Sequence, residues 1–133
     1  MRSRLVLLAL PLCVLLAPER GRAGLPRLRS LVVDATAYNS LPEQTSGDPT
    51  LTASGHRLEP GMRAIAVSPD LAALGLVHGR KVRIEGLEGE WVVRDRMARR
   101  WKRRIDVYLG EDLGAAQRFG LRRVRIHWQE PRP

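Results

Sequence analysis

The chain has 133 residues, a formal net charge of +9 and a single cysteine. Its length predicts one domain, and its basic balance favours an anionic partner. The three histidines, His56, His78 and His127, are scattered without ligand spacing, and the sequence has neither a phosphate-binding loop nor a dinucleotide fingerprint. These absences exclude the common zinc- and nucleotide-dependent classes, so no metal site and no cofactor is predicted.

Residues 1–23 have the pattern of a secretory signal peptide. A short basic region precedes an apolar run at 5–17, and small residues at 21–23 suit a signal peptidase. A membrane anchor is the alternative, but these thirteen apolar-run residues are fewer than the ~20 that a spanning helix needs. Lipidation of Cys13 is not favoured, because Leu12 precedes it. Cleavage after Ala23 would remove the only cysteine together with four arginines and one glutamate, which lowers the formal charge to +6. We therefore expect an exported, monomeric domain of the periplasm or cell envelope, with association with the outer membrane left open.

Six strands and one or two short helices are predicted after a linker at 24–30, which gives a domain at 31–129. A β-rich segment at 31–39 leads into an irregular region rich in proline, glycine and small polar residues. A compact apolar strand at 63–68 is followed by a helical turn at 71–76, which Ser68 or Asp70 could cap. Later strands are predicted at 81–85, 90–94, 104–109 and 121–128, with a helix at 111–119. Short strands with tight turns are typical of an all-β barrel or sandwich.

The strand at 104–109 contains the most informative residue of the chain. Successive side chains of a strand face opposite ways, so Ile105, Val107 and Leu109 share one face while Asp106 and Tyr108 share the other. An acid in the middle of a strand rarely helps a sheet. Asp106 is therefore a candidate for acid/base chemistry.

Other candidates have both a structural and a ligand-binding interpretation. Asp95, eleven residues before Asp106, either caps a turn or supplies a second carboxylate. Asp70 fits a helix cap, and the aromatic candidates fit either packing or stacking on a sugar ring. The further candidates for substrate binding are Tyr38, Thr52, Ser54, Trp101 and Tyr108, while Trp91 and Trp128 are predicted to lie in the core.

An ordered set of motifs resembles the 3D (Asp-Asp-Asp) domain family, which is related to RlpA-like double-psi β-barrels. Its relatives include the C-terminal part of membrane-bound lytic transglycosylase A and muralytic proteins of resuscitation and stationary phase. The match runs from about Val33 to Trp128. The matching motifs are Ala37-Tyr38, Thr52-Ala53-Ser54-Gly55, Ala66-Val67-Ser68-Pro69-Asp70, Asp95 and Ile105-Asp106-Val107-Tyr108.

The resemblance implies a fold, an activity and a set of roles. The implied fold is a six-stranded double-psi β-barrel, and the implied activity is cleavage of peptidoglycan glycan strands. Asp106 matches the catalytic acid/base, and Asp95 and Asp70 match supporting aspartates. The segment that links the last two aspartates departs from the family, because it is arginine-rich here and glycine-rich in the relatives.

The arginine-rich segment bears on the chemistry of Asp106. A nearby Asp95 would raise the pKa of Asp106, whereas the seven basic residues at 94–104 would lower it. We expect those basic side chains to point outward, where they can bind carboxylates of the substrate.

Three functions follow as hypotheses. The first is an exported lytic transglycosylase or O-glycosyl hydrolase that cleaves between N-acetylmuramic acid and N-acetylglucosamine. Asp106 would protonate the leaving oxygen and the muramic 6-hydroxyl would attack, and an envelope partner protein could complete the groove. The alternative is a non-catalytic, expansin-like peptidoglycan-binding module. A nucleic-acid binder, which the basic cluster at 99–104 would suit, is disfavoured by the signal pattern.

Overall fold

The computed structural model describes residues 24–38, 52 and 57–131. The predicted signal peptide at 1–23 lies outside the described residues. Six strands and two short helices are present in this part of the chain. They are β1 (Arg27–Tyr38), β2 (Ala64–Val67), α1 (Pro69–Ala73), β3 (Lys81–Ile84), β4 (Glu90–Arg96), β5 (Arg104–Tyr108), α2 (Leu113–Phe119) and β6 (Arg122–Glu130).

The six strands close into a barrel in the order β1-β5-β2-β4-β3-β6. The pairs β1·β5 and β2·β4 are parallel, and the other four pairs are antiparallel. Each half of the chain contributes two strands, a helix and a third strand, and exchanging the halves reproduces the same pairing. The interlocked parallel pairs confirm the predicted six-stranded double-psi β-barrel. The pseudo-twofold axis passes between β2 and β5.

The core fills the interior of the barrel. Ile105 and Val107 of β5 are fully buried, and Leu109 packs against the same cluster, as the alternation predicted. Trp91 and Trp128 are also buried in this core, which confirms their predicted place. Burying each large aliphatic side chain contributes roughly 1.5–3 kcal/mol, and the polar side chains of β5 face away from this apolar interior.

Strand β1 begins earlier than predicted. Residues 27–30, which the sequence assigned to a linker, pair with the end of β6, from Arg27 opposite Glu130 to Ser30 opposite His127. Their side chains are mostly exposed, so they carry no buried-face pattern for sequence analysis to detect. Backbone pairing with β6 holds this part of the strand, and the linker assignment is wrong for it.

The start of α1 also differs from the prediction. Ser68 occupies the N-cap position without a capping hydrogen bond, and its Oγ accepts instead from the backbone N–H of Arg104 at 3.0 Å. The helix itself covers Pro69–Ala73, earlier than the predicted turn at 71–76. The Ser68 hydroxyl thus ties the α1 end of β2 to the beginning of β5.

Among the described residues, none of the helices has the length and apolar character that crossing a bilayer requires.

Candidate functional site

Strand β5 presents its polar residues on the outer face of the barrel. Asp106 lies opposite Thr36 of β1 and opposite Ala66 of β2. Ala66 lies in turn opposite Asp95 of β4. Residues directly opposite one another share a face of the sheet, so Thr36, Asp106, Ala66 and Asp95 form one row across four strands, here called the Asp106 row.

A β-bulge in β4 brings Asp95 into this row. Trp91 and Val93 face the core, and strict alternation would turn Asp95 inward as well. The register shifts at this point, because Ile65 pairs with Val93 and the next residue of β2 pairs with Asp95. Arg94 is the extra residue, and such bulges re-aim the side chains that follow them. Two strand spacings separate the aspartates, so their Cα atoms lie about 10 Å apart.

Asp106 is a largely buried carboxyl held by a hydroxyl. Thr36 Oγ1 donates to Asp106 Oδ1 at 3.1 Å. Burial is the main cause that raises the pKa of Asp106; the Thr36 hydrogen bond and the Arg104 charge act to lower it, and the Asp95 charge adds to the rise. The net direction is upward, because desolvation disfavours the charged form. The charges considered from sequence do act on Asp106, but burial outweighs them.

Two tyrosines lie beside the row. The rings of Tyr38 and Tyr108 are 5.4 Å apart between centroids and tilted by 45°. Tyr108 is 1% exposed and packs with Leu58 and Ala64, so its ring cannot serve as a platform for a sugar. The Tyr38 hydroxyl is buried without a hydrogen-bond partner in the described part of the chain. Burial, followed by the charges of Asp95 and Asp106, raises the pKa of Tyr38, so this neutral hydroxyl lies close to both aspartates.

Trp101 anchors the arginine-rich segment. The Arg104 guanidinium lies 4.2 Å from the centroid of its ring, and that of Arg100 lies 5.1 Å away. Such cation–π contacts stabilise both partners, and they occupy the ring that could otherwise stack on a sugar. Five basic side chains of the segment are exposed as expected, namely Arg96, Arg99, Arg100, Lys102 and Arg103. Arg104 departs from the expectation, because it is half-buried and its charge acts on Asp106.

Asp70 stabilises the turn that leads into β5. Its Oδ2 accepts from the backbone N–H of Arg103 at 2.9 Å. Burial acts to raise the pKa of Asp70, but the hydrogen bonds, first from Ser68 and then from the Arg103 backbone, outweigh it and the pKa is lowered. Arg103 has a φ of 49°, which makes it the one non-glycine residue with positive φ among the described residues. The carboxylate thus fixes an unfavourable backbone conformation, outside the Asp106 row.

The remaining two candidates for substrate binding are Thr52 and Ser54. Thr52 is 4% exposed, so it is buried. Ser54 lies outside the described residues.

Two residues of the site were not singled out in the sequence. Thr36 was not considered, and Arg104 was counted only among the seven basic residues expected to lower the pKa of Asp106, yet each acts directly on Asp106. Strand alternation contains the signal, because Thr36 precedes Tyr38 by two residues and Arg104 precedes Asp106 by two. Counting back from a candidate along its own face would have identified both.

In the ranges 24–38 and 57–131 and at residue 52, no three His, Cys, Asp or Glu side chains gather into a group that could hold a metal ion.

Comparison with known proteins gives a distant structural likeness. No protein-family model and no curated protein matches the chain, so membership of the 3D domain family is not confirmed. The apo crystal structure of an expansin from Clavibacter michiganensis aligns with 79% of this chain at 18% identity and a TM-score of 0.48. A variant of that expansin in complex with cellohexaose aligns at 16% identity with the same TM-score. The chain spans about half the length of these expansins, 52% in each case. The fold assignment therefore rests on the strand pairing of this chain.

Proposed function

We propose that this barrel binds glycan strands of peptidoglycan at the Asp106 row. The observation that carries the proposal is the largely buried carboxyl of Asp106, which Thr36 holds on the outer face of the sheet. Beside it lies the Tyr38 hydroxyl, which has no hydrogen-bond partner among the described residues. Buried polar groups require partners, and the hydroxyl groups of a sugar can supply them. The export signal proposed for residues 1–23 would deliver the protein to the envelope, where this polymer occurs.

A more specific proposal is that the protein also cleaves the glycan strand that it binds. A raised pKa lets Asp106 carry a proton closer to neutral pH, as a general acid requires. Asp106 would protonate the oxygen between N-acetylmuramic acid and N-acetylglucosamine as that bond to the anomeric carbon breaks. The resulting Asp106 carboxylate would then take the proton of the muramic 6-hydroxyl as this hydroxyl attacks the anomeric carbon. An intramolecular nucleophile has a high effective concentration. Asp106 is then the one carboxyl that the reaction needs, and a 1,6-anhydro sugar is the product.

A non-catalytic wall-binding role is the second candidate. Thr36 and Arg104 both favour the ionised carboxylate of Asp106. An ionised carboxylate is an acceptor for sugar hydroxyl groups rather than an acid. Under this proposal the barrel holds glycan strands without cutting them.

Incubation of the purified protein with sacculi tests these proposals. The variants are Asp106→Asn, which keeps the shape of the side chain, and Asp112→Asn as a control. Asp112 is an exposed helix cap, and asparagine caps helices equally well. Mass spectrometry identifies the soluble fragments, and pelleting of the sacculi measures binding.

The outcomes separate the two candidates. Release of 1,6-anhydro fragments that Asp106→Asn lowers by about 10²–10⁴-fold, with binding retained, would support cleavage. Intact sacculi that bind the native protein and Asp112→Asn alike, but Asp106→Asn more weakly, would support the non-catalytic role. Sacculi that bind none of the three proteins would refute the glycan-binding proposal itself.

A further inference from the structure

A cavity of about 280 Å³ adjoins the β4 end of the Asp106 row. Its apolar lining includes Leu76 and Val93, and its charged and polar lining includes His78, Arg94, Asp95 and Arg96. Leu76 and Val93 are buried in the barrel core, whereas Arg96 and His78 are exposed. The cavity therefore combines an apolar floor with a mainly cationic rim.

Asp95 belongs to both the cavity and the row. It lines the cavity and lies opposite Ala66, whose other neighbour is Asp106. Its Oδ1 accepts from the backbone N–H of Arg96 at 2.8 Å. A glycan strand seated on the row would thus place a substituent of one sugar at the cavity.

The size and chemistry of the cavity indicate what kind of sugar substituent fits there. About 280 Å³ is near the lower end for small-molecule sites, so it suits one substituent rather than a length of strand. Two guanidinium groups favour a carboxylate, and the Asp95 carboxylate can accept from an amide N–H. The apolar floor suits small alkyl groups.

We propose that this cavity binds a short acidic peptide carried by the glycan, with the peptide carboxylate at Arg94 and Arg96, an amide N–H at Asp95 and small alkyl side chains on the floor. The assignment rests on the proposed function and names its substrate class as peptide-bearing glycan. It also gives Arg94 a second role, because the bulge that turns Asp95 toward the row places the Arg94 side chain at the cavity.

Binding of three soluble probes to the full-length protein tests the assignment. The probes are chitohexaose, peptidoglycan strands stripped of their peptides, and strands that retain them. The variant Arg96→Gln removes a charge from the cavity, and Arg99→Gln removes one from the same exposed segment outside it. Val77→Trp fills the mouth of the cavity from a side chain that is 47% exposed, so the core is left intact.

We expect Arg96→Gln to weaken binding of peptide-bearing strands by roughly tenfold, the loss typical of a charged hydrogen bond. Val77→Trp should weaken the same binding because its ring takes the space that the peptide would occupy. Chitohexaose should bind all variants alike, and Arg99→Gln should match the native protein. An equal loss for Arg99→Gln would overturn the assignment in favour of unspecific charge attraction. Stripped strands that bind as tightly, with the same dependence on Arg96, would overturn it in favour of the lactyl carboxylate.

The probes also separate this assignment from the function on which it rests. Equal binding of all three probes would overturn the cavity assignment and leave glycan binding intact. Failure of the native protein to bind any probe would overturn glycan binding and the assignment with it.

Discussion

Asp106 illustrates how burial can dominate the chemistry of one residue in a basic protein. Arg104 lies two residues away on the same face, and its charge acts to lower the pKa of Asp106. The net shift of this pKa is nevertheless upward. A carboxyl that loses contact with water favours its neutral form even when a cation is near. The hydrogen bond from Thr36 limits the cost of this burial.

The raised pKa of Asp106 predicts a pH-dependent stability difference. A free aspartate has a pKa of about 3.9, and the folded state of this chain binds the proton more tightly than the unfolded state does. The stability that the neutral acid contributes is complete below the unfolded pKa and is lost as the pH rises through the folded pKa. Asp106→Asn has no such loss. We expect the melting temperature of this variant relative to that of the native protein to rise as the pH increases from 4 to 7, which calorimetry would measure.

Asp70 supplies a control of opposite sign. Its pKa is lowered, so the ionised Asp70 carboxylate contributes to the stability of the folded state. This stability is present above the unfolded pKa and is lost as the pH falls through the folded pKa. Asp70→Asn should therefore be less stable than the native protein at pH 7, and this deficit should shrink at low pH. If the stability of both variants relative to the native protein changed with pH in the same direction, the opposite pKa shifts assigned to Asp106 and Asp70 would be contradicted.

At the scale of the elements, the faces of β5 were predictable and the path of β4 was not. Alternation within β5 placed Asp106 outward because Ile105 and Val107 form a local pattern. The bulge at Arg94 has no local signature, since it is defined by pairing with β2, whose Ile65 and Ala66 lie far away in sequence. The same limit applies to Asp70, because its partner is a backbone N–H at Arg103.

Helix α2 offers a test of local sequence signals. Asp112 Oδ1 accepts from the backbone N–H of Ala115 at 2.8 Å, which is a side-chain N-cap. Asp112→Ala should cost about 1 kcal/mol and lower the melting temperature by roughly 4–8 °C. Asp112→Asn should restore most of this loss. Glycan binding should be unchanged, because the cap lies outside the Asp106 row; a matching loss of binding would show that α2 supports the site.

At the scale of the whole molecule, the Asp106 row crosses the pseudo-twofold axis. Exchange of the two halves maps Thr36 onto Asp95 and Asp106 onto Ala66. The halves therefore differ at the axis itself, where one strand carries an acid and its counterpart carries a methyl group. This difference gives the site a direction, with Thr36 on one side of Asp106 and the cavity at Asp95 on the other.

The strand order predicts slow and cooperative folding. Each parallel pair joins one strand from each half of the chain, and pairings distant in sequence slow the search for the native state. We expect refolding with a single exponential phase on a time scale of about milliseconds to seconds. Fluorescence of the buried residues Trp91 and Trp128 would follow it in a stopped-flow experiment. Two phases with separate denaturant dependence would show instead that one half folds before the other.

The interlocked strands also have a consequence for biosynthesis. Strand β1 is the first to leave the ribosome, but its neighbours β5 and β6 are among the last. Synthesis proceeds at about 5–20 residues per second, so β1 waits several seconds for both of its partners. We expect the growing chain to remain extended through that interval, a state that a translocation channel could thread, and the barrel to close only when its final strand arrives.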